Sequence, residues 1–252
     1  MKLLYLLLIA VFIITLNSCT NNGINCSSKN NKYDTIKSNI NGQGINFVFY
    51  FKKGKSYNHP SFVFWLEDLE GNYIQTLFIT DFVGKGIYNY ADGGNWTWMN
   101  KKGESIRPAT LPYWSYRRNI VARDSIFIPT PETAVADAYT GATPKNNFIL
   151  NSKTDYKLEK SKFKLMLEIN QTWDWNEYWK NDLYPNDKDY MSSCQPSLIY
   201  SVTIDLNSNE KEYYFNPIGH GHYAGKDGKL YTNLSSHTTA LKIIDQLKVV
   251  VE

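Results

Sequence analysis

His220-Gly221-His222 is the pairing in this chain that most directly suggests metal chemistry. On a strand, residues two apart share a face at about 7 Å between Cα atoms, which suits a copper or zinc ion. The chain has four histidines in all, and nothing in the sequence brings His59 or His237 to the pair as a third ligand. The competing reading, neutral imidazoles hydrogen-bonded to nearby backbone in a turn or core, needs no third ligand and is the favoured one. His220 and His222 are thus the metal candidates, and no metal is expected. No serine sits in a Gly-x-Ser-x-Gly elbow, no carboxylate pair has a diagnostic spacing, and no glycine loop of the phosphate-cradling kind occurs. An autonomous enzyme is not indicated, and no catalytic residue is assigned.

A different chemistry is open to Asp137-Ala138-Tyr139-Thr140-Gly141-Ala142-Thr143 before Pro144, namely presentation of a hydroxyl to a visiting catalyst. Gly141 allows close backbone approach and Ala142 adds no obstruction. Pro144 disfavours the helical region for Thr143 and holds it extended. An exposed turn is expected here, with Asp137 either assisting the visitor or capping the turn. The plainer alternative is an ordinary connection between two elements, since Asp, Thr and Gly are common turn formers. Arg117, Arg118 and Arg123 precede this segment and suit a phosphate, the planar guanidinium being a bidentate donor; solvated strand charges are the alternative. Trp173-Asp174-Trp175-Asn176-Glu177-Tyr178-Trp179 is the densest aromatic cluster. It reads either as a stacking platform, for sugar rings among others, or as a flap burying its rings over one end of the domain.

These residues need a frame, and composition points to strands. Aromatic residues make up 15% and charged residues 20% of the 252 positions, and rings fit a pleated, half-buried surface. Strand patterns recur at Phe47 to Phe51, Phe62 to Leu66, Tyr73 to Ile79, Phe163 to Ile169, Ser197 to Ile204, Tyr213 to Phe215 and Leu247 to Val251. Asp68 to Asn72 predicts a hairpin turn. Phe163, Leu165, Leu167 and Ile169 share one face, with Lys162, Lys164 and Glu168 on the other, which predicts a sheet with one wet side. The fold class is therefore all-β, an antiparallel β-sandwich. One short C-terminal helix is expected between Ser235 and Leu247, and Ile87 to Pro144 reads as an aromatic-rich insert. A formal charge of +3 is too small for non-specific attraction to a polyanion, so nucleic acid is not an expected partner.

The apolar run Leu3 to Leu16 behind Lys2 is too short to span a bilayer and reads as a signal peptide over residues 1–18. Leu16-Asn17-Ser18-Cys19 resembles the bacterial lipobox, which implies lipidation of Cys19 and the lipid bilayer as a partner. Residues 19–44 are then a lipidated cysteine and flexible tether, being Asn-rich and without apolar period, and residues 45–252 a single domain. Thr20 and Asn21 lack an acidic cluster, so a periplasm-facing anchor is expected. Cys26 and Cys194 lack metal or redox spacing and are expected to be unpaired or optionally paired.

Asp137 to Thr143 resembles the recognition sequence at which an FMN transferase links FMN through a phosphoester to the last hydroxyl. That resemblance implies a covalent FMN on Thr143, with Asp137, Thr140, Gly141 and Ala142 forming the recognition site. Phe64-Trp65-Leu66-Glu67-Asp68, Tyr113-Trp114, Gln195 to Tyr200 and Ile218 to His222 add a wider similarity to the periplasmic proteins called domain of unknown function 2271, over most of residues 45–252. Cys194 stands where that pattern has Gly. The family resemblance implies an immunoglobulin-like sandwich and a carrier role in envelope electron transfer, with an FMN transferase and envelope redox proteins as partners. The Trp173 to Trp179 platform would then suit an isoalloxazine. The alternative is a non-redox module that contacts a glycan or an envelope protein.

Overall fold

The alternation of Phe47, Phe49 and Phe51, all fully buried, generates the inner face of a sheet, and the rest of the fold is assembled on that face. The computed structural model describes residues 33–94 and 97–252. The expected signal peptide, Cys19, Cys26 and the first part of the tether lie outside them. The strands are Tyr33–Ser38 (β1), Asn46–Lys53 (β2), Ser61–Glu67 (β3), Tyr73–Thr80 (β4), Ile87–Tyr88 (β5), Ala91–Asp92 (β6), Trp98–Met99 (β7), Gly103–Glu104 (β8), Thr140–Gly141 (β9), Asn147–Lys153 (β10), Lys162–Asn170 (β11), Leu198–Asp205 (β12), Glu212–Tyr214 (β13), Asn216–His220 (β14) and Ile244–Val251 (β15). Three short helices join them: Asp81–Lys85 (α1), Pro112–Arg118 (α2) and Lys188–Met191 (α3). The chain is thus mainly β.

Two sheets face each other, a five-stranded one in the order β1-β10-β2-β15-β13 and a six-stranded one in the order β14-β12-β11-β3-β4-β9. The layer between them is a lattice of rings: Phe49 meets Phe64 at 4.5 Å, Phe51 stacks on Phe148 at 4.5 Å, and Phe62 stacks on Phe148 and Phe78 at 5.4 Å each. The β3–β4 hairpin forms as its turn residues dictate, with Asp68 N donating to the Asn72 carbonyl and Gly71 at φ 88°. Pairing is antiparallel except for β1 with β10 and β4 with β9, which are parallel.

Four sequence expectations need correction. Tyr33–Ser38 is not tether. It forms an edge strand whose backbone is satisfied by β10, and it has no apolar period because only Ser38 is fully buried. The folded body accordingly begins before Ile45.

The second correction concerns the wet side of β11. Lys162 and Lys164 keep their amines in ion-pair or carbonyl contact at the rim, whereas Met166 and Glu168 lie buried beneath the insert. The insert lays Tyr88, Leu111, Tyr113, Trp114, Ile128 and Val135 over Val63 and Trp65 of β3, making a third layer. This explains why every residue of β3 is buried, on both faces at once.

The third correction is the helix expected between Ser235 and Leu247. It shrinks to the single 3-10 turn Ala240–Lys242, after which Ile244–Val251 is strand. A register shift between Ile244 and Gln246 resets the period-two alternation, and the bulge leaves Leu241, Ile244 and Leu247 at a helix-like spacing.

The fourth correction is the three short helices outside that segment. The longest has seven residues, too few for a helical period to emerge from sequence.

Candidate functional site

β9 carries the centre of the segment Asp137 to Thr143, and its position follows from packing. A 3-10 turn at Asp137–Tyr139 leads into Thr140–Gly141, which extends β4 as a parallel edge. The segment is therefore half-buried edge strand and loop, a correction to the exposed turn expected from sequence. Gly141 serves an internal contact, because a Cβ there would come within 2.8 Å of the Phe78 ring. Gly141→Ala is expected to destabilise the fold by roughly 1–3 kcal/mol through overpacking against this buried ring, read as a fall in urea midpoint with unchanged slope. The strand that replaced part of the tether holds the segment from behind: Asn39 N donates to the Ala138 carbonyl at 2.8 Å and Ser38 Oγ to the same oxygen at 3.0 Å.

Asp137 is largely exposed and pairs with Lys85 at 2.8 Å. Thr140 donates weakly to the Asp137 carbonyl, and Ala142 is exposed. Thr143 is half-buried. Its hydroxyl donates to the Pro60 carbonyl at 3.1 Å, which occupies the proton and leaves the oxygen's lone pairs free. The following residue is pinned as well, since Tyr57 Oη donates to the Pro144 carbonyl at 2.7 Å.

Ala142 and Thr143 line a cleft of about 410 Å³ whose other walls include His59, Phe82, Tyr90, Lys102 and Arg107. Arg107 is the cation that sequence reasoning missed. Its guanidinium lies 4.1 Å from the Tyr88 ring and 4.7 Å from the Trp98 ring, and burial lowers its pKa. The Asp92 carboxylate lies close enough to act on its charge, and Asp81 lines the same cleft. The arginines singled out from sequence are elsewhere: Arg117 reaches Glu67 and the Tyr113 hydroxyl, Arg118 the Thr133 carbonyl, and Arg123 both Glu104 and Glu132. No sequence signal distinguishes Arg107 from these, because its place is set by the insert's path.

The cleft does not end at Arg107. His59, Phe82, Tyr90 and Arg107 also line a second depression of about 510 Å³ that adds Trp98 and Trp173. Trp98 and Trp173 in turn border a third, of about 340 Å³, that runs to Trp175, Lys188 and Cys194. Three adjoining depressions lined by aromatic rings thus lie in series from Thr143. Trp173 is 55% exposed yet fixed: its backbone N donates to the Ser193 carbonyl at 2.8 Å, and its indole to the Met191 carbonyl at 3.2 Å. Its φ of 60°, like that of Cys194, is the left-handed conformation that bulky residues avoid. The Cys194 side chain is buried, and its thiol has no disulfide partner among the described residues. The Trp173 to Trp179 cluster divides between the two readings, with Trp173, Trp175 and Tyr178 exposed and Trp179 packed near Tyr190 and His237.

β14 ends at His220, so His222 does not share a strand face with it, and each imidazole contacts nearby backbone. His220 Nδ1 is 2.7 Å from the Gly221 carbonyl, and His222 Nδ1 accepts from Ala224 N at 3.0 Å. His237 does approach, its ring 4.5 Å from that of His220, but among the described residues no three potential ligands converge. Gly221 explains the spacing, because a Cβ there would meet Ser197 Oγ at 2.7 Å and Pro112 at 2.7 Å.

The chain matches no family model, no curated protein and no solved structure.

Proposed function

We propose that the protein is an exported bacterial lipoprotein that carries FMN as a phosphoester on Thr143 and serves electron transfer in the cell envelope. Anchoring through acylated Cys19 and a periplasm-facing position follow from the lipobox resemblance. The frame is read as an immunoglobulin-like sandwich of the domain of unknown function 2271 family, in keeping with two face-packed, mainly antiparallel sheets. The single observation that carries the reading is the Thr143 hydroxyl, which borders a cleft that Arg107 also lines.

The side chains present fit the group. Arg107, Lys102 and His59 offer positive or donor groups for a phosphate, and the guanidinium is the best suited of them. Phe82 and Tyr90 offer rings to a planar heterocycle. In the attachment reaction the Thr143 oxygen forms a bond to the flavin-side phosphorus of a flavin dinucleotide. The pyrophosphate bond breaks, AMP leaves, and the hydroxyl proton passes to the transferase's base. Within this chain, the Pro60 carbonyl orients that hydroxyl and the Tyr57 contact holds the loop behind it. Lys85 and Asp137 form an ion pair at the surface beside the segment, open to a visiting transferase. Attached FMN supplies one- and two-electron transfer that no side chain here provides.

Coexpression with an FMN transferase is expected to add the mass of one FMN, with in-gel flavin fluorescence. Thr143→Ala abolishes both, while Thr143→Ser, which keeps the hydroxyl, retains them. An unshifted wild-type mass, or a signal that survives Thr143→Ala, overturns the proposal.

A second reading, a non-redox module that binds a glycan, is favoured by the series of depressions and the exposure of their rings. Under it, oligosaccharides quench tryptophan emission and coexpression leaves the mass unchanged.

A further inference from the structure

The flavin reading assigns an attachment point but leaves open where the ring system rests. We infer that the isoalloxazine of a flavin on Thr143 is seated in the adjoining depression, against the indoles of Trp98 and Trp173, with Tyr90 and Arg107 between them and the phosphoester. This inference rests on the carrier reading above.

Three independent features of the chain lead to it. The first is adjacency: the depression at Thr143 and the one bordered by Trp98 and Trp173 share four lining residues, His59, Phe82, Tyr90 and Arg107, so the seat adjoins the point of attachment. The second is the lining. Tyr90, Trp98 and Trp173 are exposed rings, and the structure brings Trp173 from a distant segment to Tyr90 and Trp98 of the insert in one depression. An exposed apolar patch of this kind marks a binding surface, whereas scattered exposed rings do not.

The third is rigidity. Trp98 is held by the Arg107 guanidinium, itself sandwiched against Tyr88 and donating to Ser105 Oγ at 3.2 Å and the Tyr90 carbonyl at 3.3 Å. Trp173 is held by two hydrogen bonds in a left-handed backbone conformation. Ordering an exposed indole in this way costs conformational entropy and backbone strain, and a ring that needs no movement to bind returns affinity through preorganisation.

A hydrophobic seat next to a guanidinium suits a flat heterocycle with carbonyl groups on one edge. The seat also shelters one face of the heterocycle from water.

The test uses the full chain in two forms. Unmodified protein is titrated with riboflavin, which lacks the phosphate. Riboflavin emission and protein tryptophan emission are both expected to fall, and Trp98→Ala and Trp173→Ala are each expected to weaken that binding roughly 5- to 150-fold, the loss of a stacking contact of about 1–3 kcal/mol. In coexpressed, FMN-loaded protein, either substitution leaves the mass shift intact while flavin emission rises several-fold and anisotropy falls. Both indoles are solvent-exposed, and far-UV circular dichroism and urea midpoints check that the variants fold as the parent does.

An unshifted wild-type mass sinks the carrier reading. A shifted mass with attached-flavin emission and anisotropy indifferent to both substitutions sinks the seat alone, as does riboflavin emission unaffected by the unmodified protein.

Discussion

Glu168→Ala is expected to lower the unfolding free energy by roughly 2–4 kcal/mol, because it leaves buried donors without an acceptor. Glu168 comes from β11 but caps α2: its carboxylate accepts from Trp114 N at 2.7 Å, Tyr113 N at 3.1 Å and Ser197 Oγ at 2.5 Å. Those amides belong to a helix that starts behind Leu111 and Pro112 with no side-chain cap of its own, so the carboxylate satisfies groups that helix geometry orphans. Since α2 is part of the insert, this one side chain ties the third layer to the sheet beneath it.

The charge state of Glu168 gives the prediction its pH dependence. Burial pushes its pKa up to about 7, against the opposing pull of the three donors. A folded pKa above the unfolded value near 4.5 means that the native state binds the extra proton, so this contribution is full below about pH 4.5 and is lost as pH rises through 7. Glu168→Gln keeps an acceptor and removes the titration. The stability difference between wild type and this variant is therefore expected to grow by up to about 3 kcal/mol between pH 8 and pH 4.5. The wild-type profile alone does not reveal this. Burial and the His220 ring hold His237 down to about 4, so acidification below about pH 6.5 costs stability there and offsets Glu168. Denaturant midpoints of the two proteins across that range decide the matter, and a constant difference would refute the titration.

Phe62→Ala is expected to cost about 3–5 kcal/mol, the range for deleting a buried ring that its neighbours cannot collapse to fill. Phe62 touches four other rings, those of Phe51, Phe64, Phe78 and Phe148, which come from both sheets. Its loss leaves the layer between the sheets unfilled on every side. The effect reaches the candidate site by two routes. Phe78 lies against Gly141, and Pro60, the acceptor of the Thr143 hydroxyl, is two residues before Phe62. In FMN-loaded protein the variant should show lower flavin anisotropy together with its reduced urea midpoint. A midpoint within 1 kcal/mol of wild type, on the two-state scale, would contradict the assignment of Phe62 to the centre of the core.

Period-two runs were enough to read β2, β3, β4, β11 and β12 directly, because each has at least one face committed to a single environment. The Asp68 to Asn72 turn was equally legible, its residue types being demanded by local backbone geometry. Where an element's surroundings come from distant chain, local pattern misled. Tyr33–Ser38 is polar yet ordered, because β10 satisfies its backbone. Glu168 looks like a solvated charge in sequence and is fully buried, because an insert some fifty residues upstream covers it. The bulge in β15 imitates a helical period.

The candidate site divides in the same way. A hydroxyl at Thr143 flanked by Gly141, Ala142 and Pro144 is local information, and it stands in the chain as written. The surroundings of that hydroxyl are not, since Pro60 accepts from it, Tyr90 and Arg107 of the insert line its cleft, and Trp98 and Trp173 border the adjoining depression. Side-chain type and spacing are properties of a linear string, whereas a cleft is a relation between segments that approach only after the apolar layer has formed.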